Sequence, residues 1–325
     1  MAKRTFTIIL DDDTQIKNLD FSTVKAQFDS WFEDVKGTLD SDAAGNLKNQ
    51  IDAANEKIDT NTNNIATNTS AINTLNNVLT GRNAGFHNSI YRGKNLGTSV
   101  TTDQWNAIYD GTFDDLYIGD YWTIGGVNWR IAAFDYWLHC GDTECTTHHV
   151  VIVPDSCLYK AQMHNTASGG LESSGNTTKG AYAGSDMRTK NLGTAKSTIN
   201  SAFGSNHVLN HREHLQNAVT NGYASGGTWM DSTVELMSEE QVYGCMQFKP
   251  GNSLGSTIPN IYNIDYSQFP LFRLNKAMIS NRAYWWLRDV ASAADFCRVY
   301  SDGRSSYGNA SLSFGVRPAF GIYQS

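Results

Sequence analysis

The chain has 325 residues, of which 18% are charged, 40% hydrophobic and 11% aromatic, and its net charge at pH 7 is −7. This length corresponds to about two domains at ~150 residues each, and the hydrophobic share is too high for intrinsic disorder. A nucleic acid is not an expected partner, because a phosphate backbone attracts an excess of Lys and Arg. Membrane insertion is not expected either, since no apolar run approaches the ~18 residues of a spanning helix.

The first residues of the chain and its cysteines indicate the cellular compartment in which the protein is made. Met1-Ala-Lys-Arg leads into a Thr/Ile run at residues 5–10, which predicts a short strand and is too short for a signal-peptide core. We therefore expect the protein to be made in a cytoplasm and to stay there unless an assembly carries it out. The five cysteines are spread over a long chain and are expected as thiols, although Cys140 and Cys145 are close enough in sequence to pair.

Composition changes sharply along the chain. Residues 46–80 contain no Gly, Pro or aromatic residue, whereas seven of the eight Trp follow residue 100 and all five Pro follow residue 150. We predict three regions: an N-terminal region at residues 1–44, a coiled coil at 45–80, and one mixed domain at 81–325.

The N-terminal region contains an amphipathic helix. Spacings of three and four place its apolar residues on one face: Phe21, Val24, Phe28, Trp31, Phe32, Val35 and Leu39. Ser22-Thr23 is the candidate N-cap, and Gly37 or the run at 40–42 is predicted to end the helix. Two hypotheses remain open for the apolar stripe: packing within an oligomer, or docking on a larger assembly.

The second region carries a heptad repeat of more than four periods, which predicts a coiled coil about 50 Å long. Its core positions are Leu47, Ile51, Ala54, Ile58, Asn61, Ile65, Asn68, Ile72, Leu75 and Leu79. The repeated I-x-x-N-T-x-x-I pattern resembles the polar core motif of trimeric adhesin stalks. That resemblance implies a parallel trimer in which the amides of Asn61 and Asn68 surround an anion; a dimer whose register these Asn residues fix is the alternative.

Residues 81–325 predict an α+β domain with long irregular loops. Strand-like runs occupy residues 121–124, 128–132 and 148–153. Helical signals run from 186 to 203 with a stop at Gly204, and from 210 to 222 with a stop at Gly222; Ser238-Glu-Glu-Gln241 is a capping box before Gly244.

Two motifs in this domain suggest chemistry, and for each a structural interpretation is favoured. Residues 140–149 contain Cys140, Cys145, His148 and His149, which zinc accepts as ligands, but adjacent histidines point to opposite faces of a strand. Residues 251–255 match G-x-S-x-G without the strand and helix that a nucleophile needs around it. His211 and His214 are expected on a solvated helix face. We expect no catalytic site, no cofactor and no metal.

The C-terminal segment has an unusual composition. Residues 289–315 contain no Lys, Glu, Gln, Met or Trp, the five residues that an Asn codon ending in a pyrimidine cannot reach when its two adenines change. The segment is instead rich in Tyr, Ser and Gly with scattered Arg, which is typical of antibody-like paratopes.

W-W-L-R at 285–288, S-D-G at 301–303, G-N-A-S at 308–311 and G-V-R-P-A-F at 315–320 resemble the variable region of proteins encoded with diversity-generating retroelements. Those proteins display the region on a C-type lectin-like fold, to which residues 118–132 and 148–155 are also similar. The first forty residues are similar to tail proteins of phages infecting Gram-positive bacteria.

This resemblance implies a homotrimeric phage tail receptor-binding protein, synthesised in the host cytoplasm and carried on the virion. Its N-terminal region would dock on other tail or baseplate proteins, and its C-terminal face would bind a bacterial surface receptor, either protein or polysaccharide. The wider fold includes formylglycine-generating enzymes, but no cysteine pair here is placed as their copper site requires. The E-P-N and W-N-D signatures of calcium-dependent sugar lectins are also absent from the sequence.

The predicted receptor contacts combine the aromatic, charged and small residues of the variable segment. They are Asp295, Phe296, Arg298, Tyr300, Asp302, Arg304, Ser306, Tyr307, Leu312 and Phe314. Flanking residues are assigned to the scaffold that presents them: Trp285, Trp286, Arg288, Arg317 and Phe320.

Two alternative functions stay open at this point. One is a tail-associated enzyme that degrades a host surface glycan with carboxylates such as Asp231, Glu235, Glu239 or Glu240. The other is a purely structural baseplate protein.

Overall fold

The computed structural model describes residues 21–79, 83–165, 177–248 and 267–324. The chain divides into two compact units between Leu79 and Thr80. The strand predicted at residues 5–10 and the G-x-S-x-G pattern at 251–255 lie outside the described residues.

The first unit is helical throughout its described part. Helix α1 (Phe21–Thr38) passes through a π-helical segment (Leu39–Ala44) into helix α2 (Gly45–Leu79). The regular α-helix ends one residue after the predicted stop at Gly37. The chain nevertheless stays helical through residues 40–42, because neither Gly nor Asp removes a backbone donor as Pro does. The predicted N-cap at residues 22–23 is wrong, since both residues already lie inside α1.

The π segment brings the apolar stripe of α1 into line with that of α2. A regular α-helix of about 3.6 residues per turn would place Ile51 about 140° around the axis from Phe28. The π segment has six residues, and its wider turns of about 4.4 residues reduce this angle to about 30°. Phe28 and Ile51 are both exposed in the chain, so the two stripes form one apolar face of the unit.

The second unit contains the remaining elements. Its helices are α3 (Ala84–His87), α4 (Thr102–Tyr109), α5 (Gly193–Phe203), α6 (Glu239–Tyr243) and α7 (Pro270–Leu274). Its strands are β1 (Asn95–Gly97), β2 (Tyr121–Ile124), β3 (Val127–Phe134), β4 (Val150–Pro154), β5 (Tyr159–Gln162), β6 (His211–Thr220), β7 (Tyr223–Ser232), β8 (Val234–Leu236), β9 (Trp285–Val290), β10 (Asp295–Val299), β11 (Ser305–Asn309), β12 (Ser313–Val316) and β13 (Pro318–Ile322).

These strands form three sheets, with orders β1-β2-β3-β4-β13-β8, β11-β10-β9-β12-β5 and β6-β7. The first sheet holds the core, because β4 and β13 are buried along their whole length. Its strand β13 pairs antiparallel with β4, joining the C-terminal end of the chain to the strand predicted at residues 148–153. The fold class is thus α+β, with an N-terminal helix and a C-terminal unit rich in β-sheet, as predicted.

The helix predicted over residues 210–222 is wrong: this stretch forms the β6–β7 hairpin. Its turn contains Asn221 at φ +53° and Gly222 at φ +81°, and these positive values at two successive residues suit the tight turn that joins twisted antiparallel strands. The prediction that His211 and His214 lie on a solvated helix face is therefore also wrong. His211 stacks on Trp137 at 4.0 Å between ring centroids, and both His211 and His214 are buried.

Two shorter predictions are confirmed. The Ser238 hydroxyl accepts a hydrogen bond from the Gln241 backbone N–H, and the Gln241 side chain accepts one from the Ser238 N–H, which completes the capping box of α6. Gly244 ends α6 in a left-handed conformation and Gly204 ends α5. No described helix is long and apolar enough to cross a membrane.

Candidate functional site

Residues 285–316 form strands β9 to β12, which together with β5 make up the five-stranded sheet. Strand β10 lies between β9 and β11, and β12 lies between β9 and β5. Residues of the segment that are distant from one another in sequence are therefore neighbours in the sheet. Strand β5, which the sequence did not connect with the site, completes it at one edge.

The strand register divides the predicted contacts between two faces. Arg298 pairs with Trp286 on one side and with Ser306 on the other, so these three share a face. Cys297 pairs with Tyr307 one position away, and side chains alternate along a strand, so Tyr307 lies on the opposite face from Arg298. The predicted set is not one continuous surface.

On the first face Arg298 is held among aromatic rings. Its guanidinium carbon lies 4.4 Å from the ring centroid of Phe314 and 4.6 Å from that of Tyr284, and Nε donates to the Ser306 hydroxyl at 3.4 Å. Burial lowers the pKa of Arg298, and among the described residues it forms no ion pair. The rings therefore provide its main electrostatic partners.

Tyr300 extends this group toward solvent. Its ring lies 4.6 Å from that of Tyr284 in an edge-to-face arrangement, and the Arg304 guanidinium lies 4.1 Å from its centroid. The pKa of Tyr300 is lowered mainly by a hydrogen bond with Tyr284 and to a smaller extent by one with Arg304. We call Tyr284, Arg298, Tyr300, Arg304 and Phe314 the aromatic–arginine cluster.

The second face presents Tyr307, which is 50% exposed and packs edge-on against Phe248 at 5.3 Å. The buried carboxylate of Glu239 holds the two segments that carry these rings, the loop with Phe248 and the strand with Tyr307. It accepts the backbone N–H of Phe248 at 3.1 Å and the hydroxyl of Ser305, on the same strand as Tyr307, at 2.8 Å. Glu239 thus joins the loop after α6 to the edge strand β11.

The contact prediction is wrong at Phe296, because its side chain is fully buried and cannot reach a receptor. It lies in the interior near His164, at 6.4 Å between ring centroids. The other predicted contacts are accessible to different degrees. Exposed are Asp302, Arg304, Tyr307 and Leu312; partly buried are Asp295, Arg298, Tyr300, Ser306 and Phe314.

The residues assigned to the scaffold are buried as expected, with Arg288 partly so. Arg317 shows how they hold the sheets: Nε donates to the Pro154 carbonyl and Nη1 to that of Met278, both at 2.8 Å. Burial lowers the pKa of Arg317 to about 10. Arg288 instead forms an ion pair with the buried carboxylate of Glu213 on β6.

The Cys/His segment forms a turn followed by the buried strand β4. Nδ1 of His148 lies 2.8 Å from the Asp135 carboxylate, whereas His149 is buried beneath Trp137. Within the described part of the chain no group of three or more His, Cys, Asp or Glu side chains is arranged to hold a metal ion. Among the described residues no disulfide joins Cys140 and Cys145.

The carboxylates considered for glycan hydrolysis have structural partners. Asp231 is exposed and pairs with Arg212 at 3.2 Å, while Glu235 is buried against Arg188 and accepts the Tyr182 hydroxyl at 2.7 Å. Glu239 holds the loop described above, and Glu240 is buried.

In the first unit, the heptad positions of α2 from Leu47 to Leu75 face solvent in the single chain. The four Ile residues at positions 51, 58, 65 and 72 are 52–66% exposed. Asn61 and Asn68 are exposed on the same helix. Nothing in the described chain covers this apolar stripe.

Comparison with known proteins gives one match. A family model described as a domain of unknown function, DUF6273, matches residues 216–324, about a third of the chain. The matched region begins within β6 and includes the aromatic–arginine cluster. No curated protein and no solved structure matches the chain.

Proposed function

We propose that this protein is a non-catalytic receptor-binding protein of a phage tail, which attaches the virion to a bacterial surface through the sheet formed by β9 to β12. The aromatic–arginine cluster carries this proposal. Two tyrosines, a phenylalanine and two arginines contact one another at the surface of an otherwise well-packed unit, and nothing in the described core requires Tyr300 or Arg304 there.

The cluster has the physical properties of a binding surface. Its rings offer a large contact area with few rotatable bonds, so binding orders little that is not already ordered. Arg298 is held in place before any ligand arrives, because Phe314 and Tyr284 flank its guanidinium. Its donors are then available to a ligand at a low entropic cost.

The same sheet suits diversification by a retroelement. Buried residues of β10, namely Phe296, Cys297 and Val299, anchor the segment, while the loop residues Asp302 and Arg304 face solvent. Changes at the exposed positions leave the core contacts intact. The five-stranded and six-stranded sheets are connected where β12 runs directly into β13. Together with the long loops, this arrangement is consistent with a C-type lectin-like unit, which we include in the proposal.

We further propose that α2 forms a parallel trimeric coiled coil. Burying one Ile side chain is worth about 1.5–3 kcal/mol, so four exposed Ile residues are a strong drive for self-association. Asn61 and Asn68 would meet their copies in the core and enclose an anion. The alignment of α1 with α2 favours burial of Phe28 and Trp31 in the same oligomer, with the residues before them docking on other tail or baseplate proteins. Three sites on one trimer raise avidity where receptors are suitably spaced.

The test is flow cytometry of the fluorescent full-length protein on candidate host cells. The structure selects three exposed contacts for simultaneous replacement: Arg304→Ser, Tyr307→Ser and Leu312→Ser. We expect cell binding to fall at least tenfold, because Arg304 belongs to the aromatic–arginine cluster and Tyr307 to the opposite face, so the receptor loses a contact whichever face it engages.

A matched control carries Tyr109→Ser and Tyr223→Ser, which remove two aromatic side chains of similar exposure that lie outside the five-stranded sheet. This control should bind like the wild type. Equal binding by the triple variant and the control would contradict the proposed site, and absence of wild-type binding from every host tested would contradict the proposed function.

A further inference from the structure

A cavity of about 400 Å³ opens beside the aromatic–arginine cluster. Four parts of the chain meet there: strand β5, the turn before β9, the turn between β10 and β11, and the start of β12. Two cations, two aromatic residues and two serines line it: Lys160, Arg282, Tyr284, Phe314, Ser301 and Ser313. Its volume lies in the range of small-molecule sites, about 300–1,000 Å³.

The cavity is positively charged in an acidic protein. Among the described residues that line it, Lys160 and Arg282 carry positive charge and none carries negative charge. Neither forms an ion pair within the described part of the chain. The cleft next to β6 differs, because its Arg212 already contacts Asp142 at 2.7 Å and Asp231 at 3.2 Å. The charges of the cavity remain available to an anion.

The turn that carries Arg282 is held in an uncommon conformation. Arg282 has φ +60°, in the left-handed region that residues with a side chain rarely adopt. Asn281 maintains the turn: Oδ1 accepts from the Ala283 N–H at 3.1 Å, and Nδ2 lies 3.1 Å from Sγ of Cys157. Cys157 lies shortly before β5, so this contact ties the Arg282 turn to the neighbourhood of Lys160.

We propose that this cavity binds an anionic sugar unit of the receptor. Its phosphate or carboxylate would pair with Lys160 and Arg282, which are suited to such groups. The apolar C–H face of the sugar ring would pack on Tyr284 and Phe314, and the two serines offer hydroxyl partners. This inference deepens the proposed function by naming the class of receptor, and it rests on that function only for its biological setting.

Isothermal titration calorimetry on the full-length protein in low salt tests the inference directly. The probes are α-D-glucose 1-phosphate and D-glucuronate, with methyl α-D-glucopyranoside and inorganic phosphate as references. We expect at least one anionic sugar to bind ten or more times more tightly than either reference. Binding of the sugar phosphate would identify a phosphorylated receptor glycan, and binding of glucuronate a carboxylated one.

The double variant Lys160→Gln/Arg282→Gln should weaken that binding at least tenfold. Both side chains are exposed, so the substitutions leave the core unchanged. The double variant Lys179→Gln/Lys276→Gln, at two exposed lysines outside the cavity, removes the same number of charges and should bind normally. Equal affinity for the neutral glycoside, equal affinity for inorganic phosphate, or an unaffected double variant would each overturn the inference.

The two proposals fail separately. Suppose that host-cell binding survives Lys160→Gln/Arg282→Gln and that neither anionic sugar binds in calorimetry. This outcome would refute sugar binding in the cavity but not the receptor-binding function. If the protein binds an anionic sugar but attaches to no host cell, the receptor-binding function is refuted and sugar binding in the cavity is supported.

Discussion

Acidification should destabilise the second unit through His149. This side chain is fully buried, and both ring nitrogens have partners: Nδ1 donates to the Thr147 carbonyl at 2.9 Å, and Nε2 accepts the Trp137 backbone N–H at 3.1 Å. A second ring proton would bring two donors together at Nε2. Burial is the main reason that the pKa of His149 falls to about 3, although Asp135 lies 3.9 Å from Nδ1.

The direction and the size of the pH effect on the free energy of unfolding follow from this pKa. In the unfolded chain His149 titrates near its ordinary value of 6.5, so between about pH 6.5 and 3 the unfolded state binds a proton that the folded state does not. The free energy of unfolding therefore falls as the pH falls through this window. At about 1.4 kcal/mol per pKa unit, the loss relative to neutral pH is about 2 kcal/mol at pH 5.

The assay is the urea midpoint of tryptophan fluorescence at pH 7.5, 6 and 5, for the wild type and for His149→Gln. Burial also lowers the pKa of His164 and His214, so the difference between the two proteins isolates the contribution of His149. The pKa of Glu213 falls to about 2, and its contribution is lost only as the pH falls from about 4.5 to 2, below the range measured.

His149→Gln should be less stable than the wild type at pH 7.5 and should lose about 2 kcal/mol less between pH 7.5 and 5. His139→Gln, which replaces an exposed histidine, is the control and should keep the wild-type urea midpoint at pH 7.5. Identical pH dependence in His149→Gln and the wild type would refute the reasoning.

Three further outcomes are expected. Gly308→Ala would place a Cβ 2.8 Å from the Phe314 ring; it should lower the free energy of unfolding by about 1–3 kcal/mol in urea, and an unchanged midpoint would contradict the packing described. Glu239→Gln weakens the hydrogen bonds that hold the loop after α6, so limited proteolysis should cut this loop faster, and a wild-type cleavage rate would contradict its role. Joint Asn61→Ile and Asn68→Ile should raise the thermal midpoint of the proposed coiled coil, because polar core residues reduce stability; sedimentation of the wild type should give a trimer, and a monomer or a dimer would contradict the proposed assembly.

Local sequence signals predicted local structure where the residues themselves set the backbone. The capping box at Ser238 and the Gly204 stop are examples, since each depends on side chains or flexibility within a few residues. The hairpin at residues 211–232 was missed although it had a signal of the same kind. Asn221-Gly222 is a strong hairpin dipeptide, but the cap-like residues near position 210 led to a helix prediction.

The candidate site was predictable in part. Composition singled out the segment from 289 to 315, and four of its predicted contacts are exposed: Asp302, Arg304, Tyr307 and Leu312. It did not distinguish Phe296, which is buried, from Phe314, which contacts Arg298 at the surface. No composition signal separates two phenylalanines whose exposure depends on which neighbouring strand covers them.

The sequence alone determined the elements that depend on local pattern: periodicity gave the helical face of α1 and α2, and β-branched and aromatic composition gave the strands β3 and β4 and, with the few helical signals, the α+β class. Only the tertiary structure decided which side chains share a surface. Strand register placed Arg298 and Tyr307 on opposite faces, and sheet order brought Lys160 to the same cavity as Arg282, more than a hundred residues away in the chain. The physical reason is that periodicity is a property of neighbouring residues, whereas strand pairing is settled by the packing of the whole core.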